Sequence, residues 1–362
     1  MVVFERDNAS IYYEETGAGA PVIAVHGLIE NTAYWRLPGP CADGLSGRLS
    51  RVKPEPKLKS KNSRFRRQPD TMENRMKIER LTDRCNNCML CVEECIAGVW
   101  REVNGVPDPV FPLACNLCSH CVAVCPRQAI VHSRLDPNQV ERVRRKLLDA
   151  ETYREIAVTR RSIRRYKDLP VPRQTIEKVI DLARFSPTAS NSQHLSYIVI
   201  TDRAIIQKVA GHVFAMGVKA YRWATSRPGK MVLGLLKKNK KIASLQRYMA
   251  VMDYYIDQSA AGRDYILHNA PVLILVCAPK RADFAVDNCN IAGTNIINYA
   301  HTLGLGTCYI GFLTLLLRRG KKLRALLRIP DNRQVGVSLV MGYPSFRHSF
   351  VPARKNPCVT WV

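Results

Sequence analysis

Two copies of one cysteine spacing constrain what this chain can fold into more than any other feature. In each copy, four cysteines are separated by two, two and three residues. The copies are Cys85, Cys88, Cys91, Cys95 and Cys115, Cys118, Cys121, Cys125. Four thiolates at these intervals can converge on the four irons of a 4Fe–4S cube. A zinc site or a disulfide scaffold is the alternative, but zinc ligands usually form two separated pairs and leave the third cysteine of each run unexplained.

The repeat resembles the ligand run of two-cluster bacterial ferredoxins, in which a proline follows the last cysteine, as Pro126 does in this chain. The resemblance implies that the fourth cysteine of each run binds the other cluster, which brings two 4Fe–4S clusters close together. The expected ligand sets are Cys85, Cys88, Cys91 with Cys125, and Cys115, Cys118, Cys121 with Cys95. Residues 96–114 separate the runs, which predicts an inserted loop or hairpin around Asn104 and Gly105.

The chain of 362 residues is long enough for two or three domains, and it is strongly basic, with a formal net charge of +25. Lysine and arginine concentrate in residues 51–67, 237–241 and 318–324. Such runs are usually solvated surface or linker, but they can also attract an acidic redox partner such as a ferredoxin or flavodoxin. No recognition-helix or RNA-binding motif accompanies them, so nucleic acid is not an expected partner.

The chain carries no signal for a membrane span. No stretch reaches the roughly 18 consecutive apolar residues that a spanning helix needs. The best candidate, residues 303–317, is too short and is interrupted by glycines. Free thiols and cluster ligands suit a reducing compartment, so we expect a cytoplasmic protein.

The first 75 residues differ in character from the rest of the chain. Residues 1–37 contain two predicted strands followed by a His26-Gly27 loop, and they resemble the opening of an α/β-hydrolase. No G-x-S-x-G nucleophile motif occurs in the sequence, so we expect this fragment to be non-functional. Residues 38–75 are predicted to be a basic linker, because they show little hydrophobic periodicity.

The remaining residues predict a small ferredoxin-like domain at 76–135, bounded by strands at 77–81 and 129–132, and an α+β domain at 136–362. In the second domain, well-separated apolar runs predict buried strands, and amphipathic spacing predicts flanking helices. The predicted strands are 195–201, 271–277 and 335–341, and the predicted helices are 139–148, 175–183 and 292–303. The long basic segment 211–262 is expected to be a helical insertion or lid.

Two segments of the second domain carry groups that suit a phosphorylated flavin. Arg160-Arg-Ser-Ile-Arg combines guanidinium groups with a hydroxyl, and guanidinium forks match phosphate oxygens. Ser186-Pro-Thr-Ala-Ser-Asn-Ser-Gln is dense in hydroxyl and amide groups that can hydrogen-bond a ribityl chain and the polar edge of a flavin ring. Alone, each pattern is weak, because arginine pairs are common on surfaces and such polar clusters are usually turns.

Residues 136–362 resemble the nitroreductase family of FMN flavoproteins. The two segments above, the run from Ala292 to Gly311 and the ending from Gly342 to Trp361 occur in that family's order. The resemblance implies a nitroreductase-like sheet flanked by helices, and an FMN bound at the interface of a homodimer. One departure from the family is His194-Leu195, where Pro-Trp is common.

The resemblance also implies roles for individual residues. Arg160, Arg161 and Ser162 are implied to hold the FMN phosphate and ribityl end. Arg164 is implied to support these residues, and Arg354 to reach the phosphate. Those implied to line the flavin from the partner subunit are Thr188, Ala189, Ser190, Asn191 and Gln193, and those implied to approach its ring are Ile310 and Gly311. Flavin chemistry of this kind needs no essential side-chain acid or base, so no catalytic residue is assigned.

Together, the two resemblances predict an FMN-dependent oxidoreductase that carries its own iron–sulfur clusters. Two adjacent one-electron clusters suit a flavin that takes an electron pair, and the reduced flavin would reduce a nitroaromatic, a quinone or an activated alkene. NAD(P)H is a candidate donor, and in the absence of a G-x-G-x-x-G motif it would stack over the flavin itself. The alternative is an electron-transfer or redox-sensing protein that acts on a protein partner.

Overall fold

Two short antiparallel strands, β1 (Val2–Arg6) and β2 (Ala9–Tyr13), form a hairpin. The computed structural model describes residues 2–6, 9–13, 76–235 and 251–362. The hairpin belongs to a unit that contains Met1–Phe65 and Arg354–Val362, and Arg66–Ala353 form a second unit. The rest of the hydrolase-like fragment, the predicted linker and the basic run at 237–241 lie outside the described residues.

The cysteine repeat folds into a small module between two paired strands. Strands β3 (Ile78–Arg80) and β6 (Ile130–His132) pair antiparallel, which confirms the strands predicted at both ends of the module. Two short helices, α1 (Leu90–Glu94) and α2 (His120–Val124), each carry the third cysteine of one run. Both of these cysteines are buried in the apolar core of the module.

The predicted insertion between the two runs is a hairpin. Strand β4 (Trp100–Val103) pairs with β5 (Val106–Pro109), and Asn104 and Gly105 form the turn with φ angles of 51° and 78°. A two-residue hairpin turn requires positive φ at these positions, which asparagine and glycine adopt at low cost. The hairpin holds Trp100, of which only 2% is exposed, in the core of the module.

The residues after the module build a four-stranded antiparallel sheet with helices on both faces. Its strands are β7 (Ser196–Ile200), β8 (Val272–Pro279), β9 (Gly306–Tyr309) and β10 (Arg333–Gly342), in the order β7–β8–β10–β9. Its helices are α3 (Ala150–Thr159), α4 (Arg173–Ala183), α5 (Arg203–Thr225), α6 (Arg227–Leu235), α7 (Met252–Ala260), α8 (Ala285–Thr302), α9 (Gly311–Leu317) and α10 (Lys321–Leu326). The three predicted strands and two of the three predicted helices are confirmed.

The central strand β8 is apolar throughout because both of its faces are buried. Leu273, Leu275 and Cys277 belong to a core formed with α5, α9 and α10 on one face of the sheet. Ile274 and Val276 belong to a second core, formed with α4 and α8 on the other face. A strand covered on both faces loses the alternation of apolar and polar residues, so its sequence is one continuous apolar run.

The helix predicted at 139–148 does not form, and this prediction is wrong. The stretch contains only two short 3₁₀ turns, and its apolar residues Val143 and Leu148 are exposed. A short amphipathic helix is marginal in water unless tertiary packing covers its apolar face, and this one is not covered by the described residues. Helix α3 begins only after Asp149, whose carboxylate caps it by accepting the N–H of Thr152 at 3.0 Å.

The arginine segment (Arg160–Arg165) is joined to the edge of the sheet at β9. Ser162 forms a parallel bridge with Thr307, and the N–H of Ile163 donates to the Thr307 carbonyl at 2.9 Å. Gly306 permits this close approach, because a Cβ atom there would lie 2.6 Å from the Ile163 side chain. The sequence does not predict β9, since its four residues lie in a glycine-rich stretch without alternation.

Most of the described residues in the predicted insertion at 211–262 are helical. It contains most of α5 together with α6 and α7. A membrane-spanning helix would have to be longer or more apolar than any helix in the described parts of the chain.

The third basic run does not form a purely solvated surface. Arg324 is buried, and its guanidinium group donates to the carbonyls of Leu317, Pro330 and Arg333 at 2.7–3.2 Å. A buried arginine that satisfies several carbonyls stabilises the turns around α10. This residue is therefore structural and unavailable to a docking partner.

Candidate functional site

The eight cysteines of the repeat line two cavities, and each cavity takes thiols from both runs. The first cluster cavity is lined by Cys85, Cys88, Cys91 and Cys125. The second cluster cavity is lined by Cys95, Cys115, Cys118 and Cys121. The structure thus brings together the two crossed sets that the ferredoxin resemblance implies.

Two buried N–H groups test whether these cavities fit an iron–sulfur cluster. Nε of Arg80, at the first cavity, and Nε1 of Trp100, which lines both cavities, have no hydrogen-bond partner among the described residues. Leaving a buried donor unpaired costs roughly 1–3 kcal/mol. The sulfides and thiolates of a cluster are acceptors that would satisfy both donors, so the cavities fit such a cluster.

His132 directs a third N–H group at the second cluster cavity. Its Nδ1 accepts the backbone N–H of Arg134 at 3.2 Å, so the proton of the neutral ring is on Nε2. Nε2 lies 3.5 Å from Sγ of Cys115 and donates to it. Burial lowers the pKa of His132, which favours this neutral ring.

Burial also changes the acidity of the cysteine thiols. It raises the pKa of Cys91 to about 11, and it raises the pKa of Cys115 and of Cys121. The nearby indole of Trp100 partly opposes this effect at Cys121 by favouring the thiolate, although it does not reach full hydrogen-bonding geometry. Because iron binds the thiolate, assembly of a cluster here must release protons.

A different type of site lies where the arginine segment meets the C-terminal end of α8. Arg160, Arg161, His301 and Arg347 line a cleft with about 960 Å³ of open space, together with the turn at 304–307. We call it the cationic cleft. Burial, and then the positive charge of the three arginines, lower the pKa of His301. This concentration of positive charge suits a phosphate group, which guanidinium groups bind in bidentate fashion.

The predicted phosphate-binding residues divide between two sides of the arginine segment. Arg161 lines the cationic cleft, and its Nη2 donates to the Val158 carbonyl at 2.9 Å. The side chains of Ser162 and Arg164 instead approach the thiol of Cys308. Burial raises the pKa of Cys308, and Arg164 and Ser162 partly oppose that rise. Side chains of an extended segment alternate between two faces, which accounts for the division.

The polar loop (residues 188–193) has a backbone conformation that few non-glycine residues adopt. Positive φ angles of 52°, 50° and 45° occur at Ser190, Asn191 and Gln193. The N–H of Ala189 donates to Oδ1 of Asn288 at 3.2 Å, and the N–H of Gln193 donates to Oγ1 of Thr188 at 3.0 Å. Such backbone conformations persist only where the surroundings enforce them, and they cluster at ligand sites.

The polar loop also contacts the cluster module. Nδ2 of Asn191 donates to the carbonyl of Asn116 at 3.2 Å, and Asn116 lines the second cluster cavity. Close by in sequence, Nη1 of Arg184, at the end of α4, donates to Oε1 of Gln139 at 3.2 Å. The predicted flavin loop and the second cluster cavity are therefore neighbours within one chain.

Helix α8 keeps the polar loop and the cationic cleft apart. Asn288, near the start of the helix, is hydrogen-bonded to the polar loop. His301, near its end, lines the cleft and is hydrogen-bonded to Oγ1 of Thr159 at 2.9 Å. With a rise of 1.5 Å per residue, the distance along the helix from 288 to 301 is roughly 20 Å. One chain therefore does not bring both halves of the predicted flavin site together.

The remaining predicted residues lie at two further places. Ile310 and Gly311 follow β9, and a Cβ atom on Gly311 would meet no described atom within 4 Å, so a ring could approach its backbone. Arg354 belongs to the other unit of the chain, and its role stays a prediction. The residues that the sequence does not single out are Arg80, Trp100, Asn116, His132, Asn288 and His301. No spacing marks them, since strand pairing and helix packing bring each to its site.

Residues 157–343 match the family model described as the nitroreductase family, and this match covers more than half of the chain. The chain belongs to the nitroreductase family. Residues 84–130 match a second model, described as a 4Fe-4S dicluster domain. The predicted α+β fold, the ferredoxin-type module and the oxidoreductase class are confirmed. Neither match reaches residues 1–83, so the α/β-hydrolase resemblance has no support from them.

Known proteins are similar to both parts of the chain. A protein of Archaeoglobus fulgidus named "Putative NADH dehydrogenase/NAD(P)H nitroreductase" is 30% identical over 206 residues, which are 55% of this chain and 90% of that protein. A 4-nitrobenzoate reductase of Nocardioides sp. is 26% identical, over 59% of this chain and 88% of its own length. A polyferredoxin-like protein of Methanocaldococcus jannaschii is 43% identical over 51 residues, which are 14% of this chain and 21% of that protein. A crystal structure of a nitroreductase with bound FMN from Bacteroides fragilis matches 57% of this chain and 98% of its own, at 17% identity and a TM-score of 0.42.

Proposed function

We propose that this chain is an FMN-dependent oxidoreductase in which two 4Fe–4S clusters pass electrons to FMN, for the reduction of an electron-poor small molecule. The acceptor class we propose is a nitroaromatic, a quinone or an activated alkene. The observation that carries the proposal is the hydrogen bond from Asn191 to Asn116, because it joins the predicted flavin loop to the second cluster cavity. Membership of the nitroreductase family and the two crossed sets of thiols support it.

The two clusters would have different positions on the electron route. Among the eight thiols, Cys88 of the first cavity is the exposed one. The first cluster would therefore accept electrons from an outside donor, such as a reduced ferredoxin or flavodoxin. The second cavity adjoins the polar loop through Asn116, so the second cluster would pass the electrons to FMN.

A second copy of the chain would complete the flavin site. Within one chain, roughly 20 Å of helix α8 separates the cationic cleft from the polar loop. In a homodimer, the cleft and arginine segment of one protomer would hold the FMN phosphate, and the polar loop of its partner would line the flavin. Apolar side chains near the polar loop and on α8, including those of Phe185 and Ile291, are exposed and offer a surface for this association.

Each group of residues would have a separate task at the bound flavin. FMN supplies the chemistry, since it takes electrons singly or in pairs and passes a hydride to an acceptor. Arg160 and Arg161 would neutralise the charge of the phosphate. The hydroxyl and amide groups of Thr188, Ser190, Asn191 and Gln193 in the polar loop would orient the ribityl chain and the ring edge. The exposed backbone beside Gly311 would leave room for the ring.

Cofactor analysis tests the proposal directly. After anaerobic purification of the full chain, we expect about eight irons and one FMN per chain, with sulfide equal to iron. Four irons or fewer, or the absence of flavin, would contradict the proposal.

Rapid mixing then tests the electron route. Reduced ferredoxin, NADH and NADPH are mixed separately with the oxidised protein, and cluster and flavin absorbance are followed in time. We expect ferredoxin to reduce the clusters first and the flavin afterwards, and a nitroaromatic or quinone to reoxidise the flavin. Flavin reduction by NADH or NADPH while the clusters stay oxidised would contradict this route. Reoxidation by a protein acceptor alone would favour an electron-transfer function instead.

A further inference from the structure

We infer that the clusters of one protomer reduce the flavin whose phosphate is held by the arginine segment of the other protomer. The inference rests on the proposed function and adds an assignment that the proposal leaves open. A dimer would contain two cluster modules and two flavins, and each module could serve either flavin. The contacts of the module decide between the two arrangements.

The cluster module stays with the polar loop of its own chain. The hydrogen bond from Asn191 to Asn116 connects that loop to the second cavity, and the hydrogen bond from Arg184 to Gln139 connects the end of α4 to the residues that follow the module. The polar loop begins just after α4, so both contacts hold the module at the same end of α8.

The arginine segment of the same chain is held at the opposite end of α8. Thr159, which directly precedes the segment, is hydrogen-bonded to His301 at 2.9 Å. Ser162 forms a backbone β-bridge with Thr307 at the sheet edge. These contacts connect the segment to two different elements, so it cannot swing toward its own polar loop without breaking them. A polar loop can therefore meet only the arginine segment of another chain, and the module that travels with the loop meets that same foreign segment.

The surface beside the second cavity suits contact with a second copy. Ile96 lines this cavity and is 90% exposed, and Leu113, two residues before Cys115, is 82% exposed. Apolar side chains this exposed are a surface that a partner would cover. A partner protomer seated there would bring its flavin toward the second cluster.

The electron count is consistent with one module for each flavin. Transfer of one electron from each of two reduced clusters, with two protons from water, reduces one flavin by two electrons. Both clusters return to their oxidised state, and two one-electron transfers from reduced ferredoxin then reduce them again.

Two heterodimers with the same total set of substitutions test the inference. In the first, one copy carries Cys118→Ser, which breaks the second cluster, and the other copy carries Arg160→Ala and Arg161→Ala, which remove the two arginines of the cationic cleft that would neutralise the FMN phosphate. In the second, one copy carries all three substitutions and the other is wild type. Differently tagged copies are co-expressed and purified over both tags, and iron and flavin are measured in each heterodimer.

Stopped-flow spectroscopy measures how fast reduced ferredoxin reduces the flavin of each heterodimer, with the rate expressed per bound flavin. This rate distinguishes electron transfer between chains from transfer within one chain. We expect the rapid phase of flavin reduction in the first heterodimer and its loss in the second. The reverse pattern, equal rates in both, or a missing rapid phase in the first would overturn the inference while the wild-type homodimer still shows that phase. A wild-type homodimer without a rapid phase would instead contradict the proposed function.

Discussion

Single N–H groups distinguish the environments of the two cluster cavities. Arg80 lines the first cavity and has a buried Nε without a partner among the described residues, His132 donates from Nε2 to Cys115 of the second, and Trp100 lines both. Hydrogen bonds to cluster sulfurs and solvent exposure are among the factors that set a cluster's reduction potential. In the proposed function these residues would therefore influence the potentials of the two clusters, although none of them is a predicted ligand.

We predict that Trp100→Phe makes the reduction potential of the clusters more negative. The substitution keeps an aromatic ring in the core but removes the N–H group that would stabilise the negative charge of a reduced cluster. A redox titration followed by electron paramagnetic resonance measures the change. Trp361→Phe is the control, because Trp361 is exposed. An unchanged potential in Trp100→Phe would show that the indole does not interact with a cluster.

We predict that the flavin-free protein loses stability as the pH falls below about 6.5, in part through His301. The pKa of this histidine is lowered in the folded chain, so the unfolded chain binds the additional proton first. The free energy of unfolding therefore decreases as the pH falls. Chemical denaturation at pH 7.5 and 5.5 measures this, and His301→Gln should show a smaller decrease than the wild type. His212→Gln, at an exposed histidine, should behave like the wild type.

At the scale of elements, the edge strand β9 connects the arginine segment to the rest of the domain. The Ser162 and Ile163 backbone pairs with Thr307, and the absence of a side chain at Gly306 lets Ile163 pack against β9. A second backbone bond, from the N–H of Ser345 to the Arg165 carbonyl at 3.0 Å, holds the other end of the segment. In the proposed function, phosphate binding at the cationic cleft would depend in part on the close packing at Gly306.

We predict that Gly306→Ala destabilises the protein by roughly 1–3 kcal/mol and lowers its flavin content. The new Cβ atom would lie 2.6–2.9 Å from three atoms of Ile163, so the arginine segment must shift. Denaturant unfolding and the flavin content per chain measure the two effects. Gly211→Ala in α5 is the matched control, because no described atom lies within 4 Å of its new Cβ. This control should be neutral or stabilising by up to about 1 kcal/mol.

At the scale of the whole molecule, the contact between the cluster module and the polar loop determines whether the two domains of the chain can act together in electron transfer. Asn191 of the polar loop donates to Asn116 of the module, and nearby Arg184, at the end of α4, donates to Gln139, which follows the module. Each hydrogen bond contributes only about 1 kcal/mol to stability, so these bonds matter mainly because they fix the position of the cluster module relative to the polar loop. Electron transfer between cluster and flavin depends on that position far more than folding of the chain does.

We predict that Asn191→Ala slows reduction of the flavin by ferredoxin several-fold and leaves the iron content unchanged. The substitution removes the side-chain donor to Asn116 and frees the module to move relative to the polar loop. Stopped-flow spectroscopy measures the rate, normalised to bound flavin. Ser192→Ala, at an exposed residue of the same loop, is the matched control and should keep the wild-type rate. Equal rates in the two variants would contradict a route through this contact.

Local sequence patterns determined much of the secondary structure and the cluster module of this protein. The cysteine spacing indicated the cluster module, the apolar run of β8 indicated a strand buried on both faces, and Gly304 marked the end of α8. Asn104 and Gly105 indicated the hairpin. These signals are readable because each depends on residues adjacent in sequence, whose geometry is set by backbone sterics and by ligand spacing.

Only the tertiary structure decided what depends on distant partners. It showed that the described residues leave Val143 and Leu148 of the predicted helix at 139–148 uncovered, and that the guanidinium group of Arg324 is buried against backbone carbonyls. It placed Trp100 in the lining of both cluster cavities, and it held the two halves of the predicted flavin site at opposite ends of α8. The physical reason is that such relations arise from long-range packing, in which residues far apart in sequence share one helix or one core, and no local spacing records them.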